Sequence, residues 1–205
     1  MLSIALPTGR MCEQACRRLS AAGYDCRGIT GPNRKLIFED RERRLRYLLV
    51  KPRDVAMYVA HGAADIGVAG RDVILESEPD ILELLDLGFG RCRLAVAAKK
   101  GWHDHTDRLL RVATAFPHVA EEYFLRQGRQ IELIRLHGSV ELAPLINLSD
   151  VIVDVVETGA TLQQNNMEII AEIAVSSARL IANKSSYHFN LAQINQICKE
   201  LEAAL

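Results

Sequence analysis

At 205 residues and a formal net charge of −1, with 49% apolar and 25% charged residues, the chain has the composition of a globular protein of one large or two small domains. Its near-neutral balance excludes the strong positive field of a dedicated nucleic-acid binder. No apolar run approaches the ~18 residues that a spanning helix needs. The N-terminal MLSIALPTGRMCEQ lacks the basic start of a signal peptide, so a cytoplasmic protein with no membrane partner is expected.

LSIALP (2–7) reads as a short apolar strand, and residues 10–22 have helical spacing, with Gly23 as the stop. LIFED (36–40) and LRYLLV (45–50) read as strands about a charged turn. Arginines of the block Arg41–Arg46 interleave with Glu39, Asp40 and Glu42, the pattern of a solvated hairpin tip rather than a basic patch. Asp54 is placed to cap a helix over VAMYVAHG that ends at Gly62, and the strand ADIGVAG follows. LGFGRCRLAVAAKK supplies another strand, and RVATAF, HVAEEYFLRQG and IELIRL make a strand–helix–strand unit. Strands alternating with helices argue for parallel α/β sheets. Two such clusters, before and after about residue 92, predict two lobes with a cleft between them. From Ser185 to Leu205 an amphipathic helix closes the chain.

The five cysteines are scattered. Cys12 and Cys16 stand one helical turn apart, but no second Cys/His pair follows at zinc spacing, which points to reduced thiols. His103 and His105 flank Asp104 without further ligands nearby, the pattern of a solvated loop.

The stretch VIVDVVETGATLQQNNM (151–167) carries the strongest chemical signal. In a strand, Ile152, Asp154 and Val156 share one face while Val153 and Val155 take the other. An unpaired buried carboxylate is costly, so Asp154 belongs at the carboxyl end of its strand, beside a crevice of the kind where open α/β sheets hold ligands. Thr158, Gly159, Ala160 and Thr161 then offer consecutive N–H groups, two hydroxyls and a glycine, ahead of a short helix that Asn166 can end. Such a turn can cradle a phosphate while Asp154 and Glu157 accept sugar hydroxyls or hold Mg²⁺. A capped strand–turn–helix with no ligand has the same pattern, and both readings stand at this point.

Three further junctions carry cations. PTGR (7–10) follows the first strand, and Arg10 can grip phosphate oxygens bidentately. KPRD (51–54) presents Lys51 and Arg53 at a helix start, and ADIGVAGRD (64–72) sets Asp65, Gly67 and Gly70 about a strand. There is no Walker A lysine motif, no G-x-G-x-x-G after the first strand, and no G-x-S-x-G elbow.

ALPTGRM, KPRDVAMYVAHGAADIGVAGRDVI, VATAFPHVAEEYF and HGSVELAPLINLSDVIVDVVETGATL together give a resemblance covering essentially the whole chain. It resembles the short form of the ATP phosphoribosyltransferases, the first enzymes of histidine biosynthesis. The resemblance implies an α/β fold of two lobes like type II periplasmic binding proteins, with the active site in the inter-lobe cleft. It places the first lobe at about 1–92 with 182–205, and the second at about 93–181. It implies that adenine N1 of ATP joins C1 of 5-phosphoribosyl 1-pyrophosphate with release of pyrophosphate, assisted by Mg²⁺ held through substrate phosphates. Asp154, Glu157 and Arg10 are implied as the groups nearest the chemistry, with Asp154, Glu157, Thr158, Gly159, Ala160 and Thr161 holding the phosphoribosyl moiety. Gly9, Arg10, Lys51, Arg53, Asp65, Gly70 and Glu141 are implied to face ATP or pyrophosphate.

Several positions depart from the family pattern. Thr8 stands where lysine is common, Ala115 and Phe116 where a lysine–tyrosine pair is frequent, and Ala160 where arginine is frequent. Lys51 replaces a usual arginine and Asn147 a usual glycine. The resemblance also implies a histidyl-tRNA-synthetase-like regulatory subunit as partner and self-association at least to a dimer. Two rival readings remain: a non-catalytic cytosolic binding module for a phosphorylated metabolite, and a degenerate regulatory or scaffold subunit.

Overall fold

The computed structural model describes residues 1–31 and 34–204. In chain order it begins with β1 (Leu2–Pro7), α1 (Arg10–Ala21), β2 (Ile37–Asp40), β3 (Leu45–Val50), α2 (Val55–Ala60), β4 (Ile66–Gly70), α3 (Arg71–Ser77) and β5 (Ile81–Asp86). Next come β6 (Cys92–Lys99), β7 (Leu110–Thr114), α4 (Pro117–Arg126), β8 (Ile131–Arg135), α5 (Leu142–Leu145), β9 (Val151–Val156), α6 (Ala160–Gln164) and β10 (Met167–Ser176). The chain ends in β11 (Ala178–Asn183), α7 (Lys184–Phe189) and α8 (Leu191–Ala203). Two compact units result: Met1–Gly90 with the segment from Ser177 onward, and Arg91–Ser176.

The first unit is built on a six-stranded sheet in the order β2-β3-β1-β4-β11-β5. Its centre is parallel, with β1 flanked by β3 and β4. Helix α1 buries Cys12, Ala15, Cys16 and Leu19, the i, i+3, i+4, i+7 stripe of an amphipathic helix. That stripe joins a core with Ile4, Leu6, Leu45 and Tyr47, which Ile194, Ile197 and Leu201 of α8 complete. Each such aliphatic side chain contributes roughly 1.5–3 kcal/mol relative to leaving it in water. Gly23 ends α1 at φ 85°, and the amides of Gly23 and Tyr24 bond back to Ser20 and Leu19 in a Schellman closure.

The second unit holds a five-stranded sheet in the order β10-β6-β9-β7-β8. Alternation along its strands separates two cores. Ala95, Ala97, Ile152 and Val156 belong to one, and Val96, Val112, Val151 and Val153 to the other. At the start of β9, Asp150 accepts from the Arg111 backbone N–H at 3.0 Å and from its guanidinium at 2.9 and 3.2 Å, tying β9 to β7.

Several expectations are corrected. Both sheets are mixed rather than parallel: β2, β5 and β11 run antiparallel to their neighbours in the first, and β6 and β10 in the second. Strand β11 pairs with β4 and β5, so the chain returns to the first unit after Ser176 instead of after residue 181. Asp54 makes no side-chain cap. Instead a 3-10 turn over Pro52–Asp54, with proline at its first position, leads into α2. The closing helix is two helices. Asn183 caps α7 by accepting from the Ser186 amide at 3.0 Å, and the chain breaks at Asn190 before α8. Leu205, expected in that helix, lies outside the described residues.

Candidate functional site

Strand β9 sets the geometry of the second unit's site. Its pairing with β6 puts Ala95 directly opposite Asp154 and Ala97 opposite Ile152. Two methyl-sized side chains on that face leave room, and a cavity of about 280 Å³ opens there. Ile152, Asp154 and Val156 form its wall from β9, and Glu157, Thr158, Gly159, Ala160, Thr161 and Leu162 form its rim. The shared face of Ile152, Asp154 and Val156 follows directly from strand alternation. Asp154 is half-buried, while Glu157, Thr158, Ala160 and Thr161 are exposed.

The turn owes its shape to local chemistry. Gly159 sits in the left-handed region at φ 78°, ψ 3°, where a glycine carries no Cβ penalty. The Ala160 amide donates to Thr158 Oγ1 at 3.3 Å, a side-chain turn that pre-bends the loop. Helix α6 spans only five residues before Asn165, and Asn166 turns the chain at φ 53°. A helix so short contributes little dipole, so any anion in this turn depends on its amides and hydroxyls. Beside it, the buried Thr114 hydroxyl donates to the Val153 carbonyl at 2.6 Å and accepts from the Phe116 amide at 2.8 Å, fixing the end of β7 against β9. Phe116 is itself buried.

Glu141, expected among the ATP contacts, lines the same cavity as Asp154 and Glu157, because it stands immediately before α5 in the second unit. A second hollow of about 380 Å³ adjoins the turn and shares Thr158 and Gly159 with the first, with Arg93, Lys100 and Glu168 on its other walls. Ala95 and Ala97 were not singled out from the sequence. RLAVAA shows their alternation, but only the pairing of β6 with β9 reveals which face they share.

In the first unit, the predicted cationic junctions follow neighbouring parallel strands. Pro7 pairs with Val50, and the Thr8 amide donates to the Val50 carbonyl at 2.8 Å. Gly9 and Arg10 after β1, Lys51 and Arg53 after β3, and Gly70 at the end of β4 thus come to one sheet edge. Gly9 adopts φ 84°, ψ −155°, a region that is essentially glycine-only. Arg10, Lys51 and Arg53 are exposed.

Asp65 does not join them. It precedes β4 and therefore sits at the amino edge, five residues of strand, or roughly 16 Å, from Gly70. There its carboxylate accepts from the Ser3 amide and hydroxyl at 2.7 Å each and from the Ser186 hydroxyl at 2.7 Å. It is a structural clasp between β1, β4 and α7. Asp104, between the two loop histidines, accepts two bonds from Arg129 at 2.9 and 3.0 Å. Among the described residues no group of three or more His, Cys, Asp or Glu could hold a metal ion. All five cysteines are free thiols.

A family model described as ATP phosphoribosyltransferase matches residues 51–203, a span that includes the whole β9–α6 cavity. The chain belongs to the ATP phosphoribosyltransferase family. It is 48% identical to the ATP phosphoribosyltransferase of Brachyspira hyodysenteriae over 206 residues, covering 100% of both chains. It is also 48% identical to that of Clostridioides difficile, covering 98% of this chain and 97% of the relative. Among solved structures, a chain of the ATP phosphoribosyl transferase (HisG:HisZ) complex from Thermotoga maritima is similar, with TM-score 0.87 and 34% identity over 100% of this chain and 97% of that one. The fold is accordingly of the type II periplasmic-binding-like class. The departure at Asn147 has a structural reason: it sits at φ 60°, a conformation that glycine, and next asparagine, tolerate. No helix among the described residues is long and apolar enough to cross a membrane.

Proposed function

We propose that this chain is a short-form ATP phosphoribosyltransferase that opens histidine biosynthesis by joining adenine N1 of ATP to C1 of 5-phosphoribosyl 1-pyrophosphate. The observation that carries this reading is the carboxylate-walled cavity at the β9–α6 turn, lying within a family match that covers most of the chain. Adenine N1 brings its own lone pair. As the new N–C bond forms, the C1–oxygen bond breaks and pyrophosphate leaves with its electrons. No serine or cysteine nucleophile is required, so the protein's contribution is positioning and electrostatics.

In this reading Asp154 and Glu157 accept hydrogen bonds from the ribose hydroxyls and orient C1. The amides and hydroxyls of Thr158, Gly159, Ala160 and Thr161 receive the 5-phosphate. Gly9 permits close approach of ATP or pyrophosphate to the first turn, and Arg10, Lys51 and Arg53 supply cations to their oxygens. Gly70 stands at the same sheet edge. Glu141 is best read with the ribose carboxylates, given the cavity it lines.

Mg²⁺ fits this donor set. The ion would be held mainly by substrate phosphates and water, with a single carboxylate of the cavity wall, Asp154 or Glu157, as the hard oxygen donor at hand. When bound, it neutralises phosphate charge and improves the leaving group. The relation to a HisG:HisZ complex supports assembly with a HisZ-type, synthetase-like regulatory subunit, and with it self-association at least to a dimer. A cytoplasmic location suits a biosynthetic enzyme.

The test is turnover. Wild-type protein mixed with ATP, phosphoribosyl pyrophosphate and Mg²⁺, alone and with the HisZ-type partner, should give the ultraviolet absorbance change of the phosphoribosyl adduct. Thr161→Ala should lower it by about tenfold, the worth of one hydrogen bond to a charged group. Substrate binding without turnover in either condition would return the case to a binding module.

A further inference from the structure

The β9–α6 cavity has an electrostatic mismatch with its proposed ligand. Its lining contributes Glu141, Asp154 and Glu157 and no lysine, arginine or histidine, yet phosphoribosyl pyrophosphate is a polyanion. Carboxylates suit ribose hydroxyls, but a 5-phosphate beside them needs compensating charge. Resting on the transferase reading above, we propose that Arg93, seconded by Lys100, contacts the 5-phosphate and completes the phosphoribosyl site.

The geometry comes from β6. Residues 93, 95 and 97 share one strand face, and Ala95 and Ala97 already line the cavity. Arg93 pairs with Val156, the last residue of β9, so it stands where the strand gives way to the turn. Across such a pair the Cβ atoms are about 4.5–5.5 Å apart, and the diagonal neighbour Asp154 lies within reach of a long side chain. The hollow that Arg93 and Lys100 line has Thr158 and Gly159 as its shared wall with the cavity. Both cations therefore border the turn at Thr158 and Gly159, the residues that the hollow and the cavity share.

Arg93 is also held in readiness. It is ion-paired with Glu172 of β10, whose partner on β6 is Ala95, the cavity face again. The two side chains keep 38% and 51% exposure, so the pair is open to solvent and exchangeable. A planar guanidinium matches a phosphate with two parallel hydrogen bonds, which an exposed carboxylate partner does not prevent. Lys100 follows β6 directly, and its amide donates to the Asn166 carbonyl at 3.0 Å, anchoring it beside the end of α6.

The experiment titrates the full-length protein with ribose 5-phosphate and, separately, with pyrophosphate. Arg93→Gln should weaken ribose 5-phosphate by at least about tenfold while pyrophosphate stays within about twofold. Arg93→Lys should recover part of the loss, which a purely structural role would not predict. Lys100→Gln, an exposed turn position, should give a smaller loss in the same direction and carries the test if Arg93→Gln fails to fold. Unchanged ribose 5-phosphate affinity in Arg93→Gln overturns the proposal, as does equal weakening of both probes. Wild-type turnover with a normal Arg93→Gln titration sinks this inference alone. Arg93-dependent binding in a wild type that makes no phosphoribosyl adduct sinks the transferase reading alone.

Discussion

The turn after β1 and the turn after β9 each set a glycine at positive φ between a strand and a helix, and there the likeness stops. Gly9 opens the twelve-residue α1, has Arg10 as its first helical residue, and shares its sheet edge with Lys51 and Arg53. Gly159 opens the five-residue α6 and is surrounded by Asp154, Glu157 and Glu141. One turn presents cations and a full helix dipole, and the other presents carboxylates and a cavity. The lesson is that a strand–glycine–helix junction specifies only where a ligand can approach. The charges gathered around the glycine, cations at the first turn and carboxylates at the second, differ between the two, and the proposed division of ligand groups rests on that difference.

The largest expected effect separates those two assignments. Asp154→Asn should lower kcat/KM by about 10- to 100-fold and weaken ribose 5-phosphate, since a bond to a charged acceptor is worth ~1.5–3 kcal/mol. Arg10→Gln should instead weaken pyrophosphate and leave ribose 5-phosphate unchanged. If titration finds both variants losing ribose 5-phosphate alike, the division of labour between the turns is wrong.

Next in size is the backbone contrast. A Cβ at Gly9 would meet nothing within 4 Å, so the cost of Gly9→Ala is conformational, about 1–3 kcal/mol for its glycine-only φ/ψ. Gly159→Ala also meets only an ordinary contact, with Val156 at 3.8 Å, and its left-handed conformation costs roughly 1–2 kcal/mol. Denaturant midpoints of the two variants measure the difference, and a more destabilised Gly159→Ala would contradict the assigned backbone states.

The smallest effect is acid sensitivity in the second unit. The Arg111 guanidinium beside Asp150 holds its carboxyl below the usual carboxylate range, against the opposing push of burial. A depressed folded value means that the stabilisation is fully present above the unfolded carboxyl value, about 3.9, and is lost as pH falls through the lower folded one. Wild type should therefore lose stability in that acid window more steeply than Asp150→Asn. Parallel acid limbs for the two proteins would remove Asp150 as the cause.

These contrasts also mark how far the sequence could be read. Strand β1, helix α1 with its Gly23 stop, the β2–β3 hairpin and the alternation of β9 were legible because each has one clear period and a turn residue beside it. Strand β10 was not, because register breaks between Ile169 and Ala171 and between Glu172 and Ala174 interrupt the period-two signal. Strand β11 was misassigned because pairing between β4 and β5 is a long-range fact that ARLIAN does not encode locally. Asp65 stands apart from Gly9, Arg10, Lys51, Arg53 and Gly70 for a directional reason: it precedes β4 and so lies at the strand's amino edge. Ala95, Ala97 and Arg93 carried no local motif, and became readable only once β6 was known to lie beside β9.

The central claim is that the β9–α6 turn receives the phosphoribosyl group, and a crystal structure with bound phosphoribosyl pyrophosphate tests it most directly. The account predicts the 5-phosphate within hydrogen-bonding reach, about 2.7–3.2 Å, of Thr158–Thr161, and ribose hydroxyls on Asp154 and Glu157. A 5-phosphate seated instead at the Gly9–Arg10 turn, with the β9–α6 cavity empty, would contradict it.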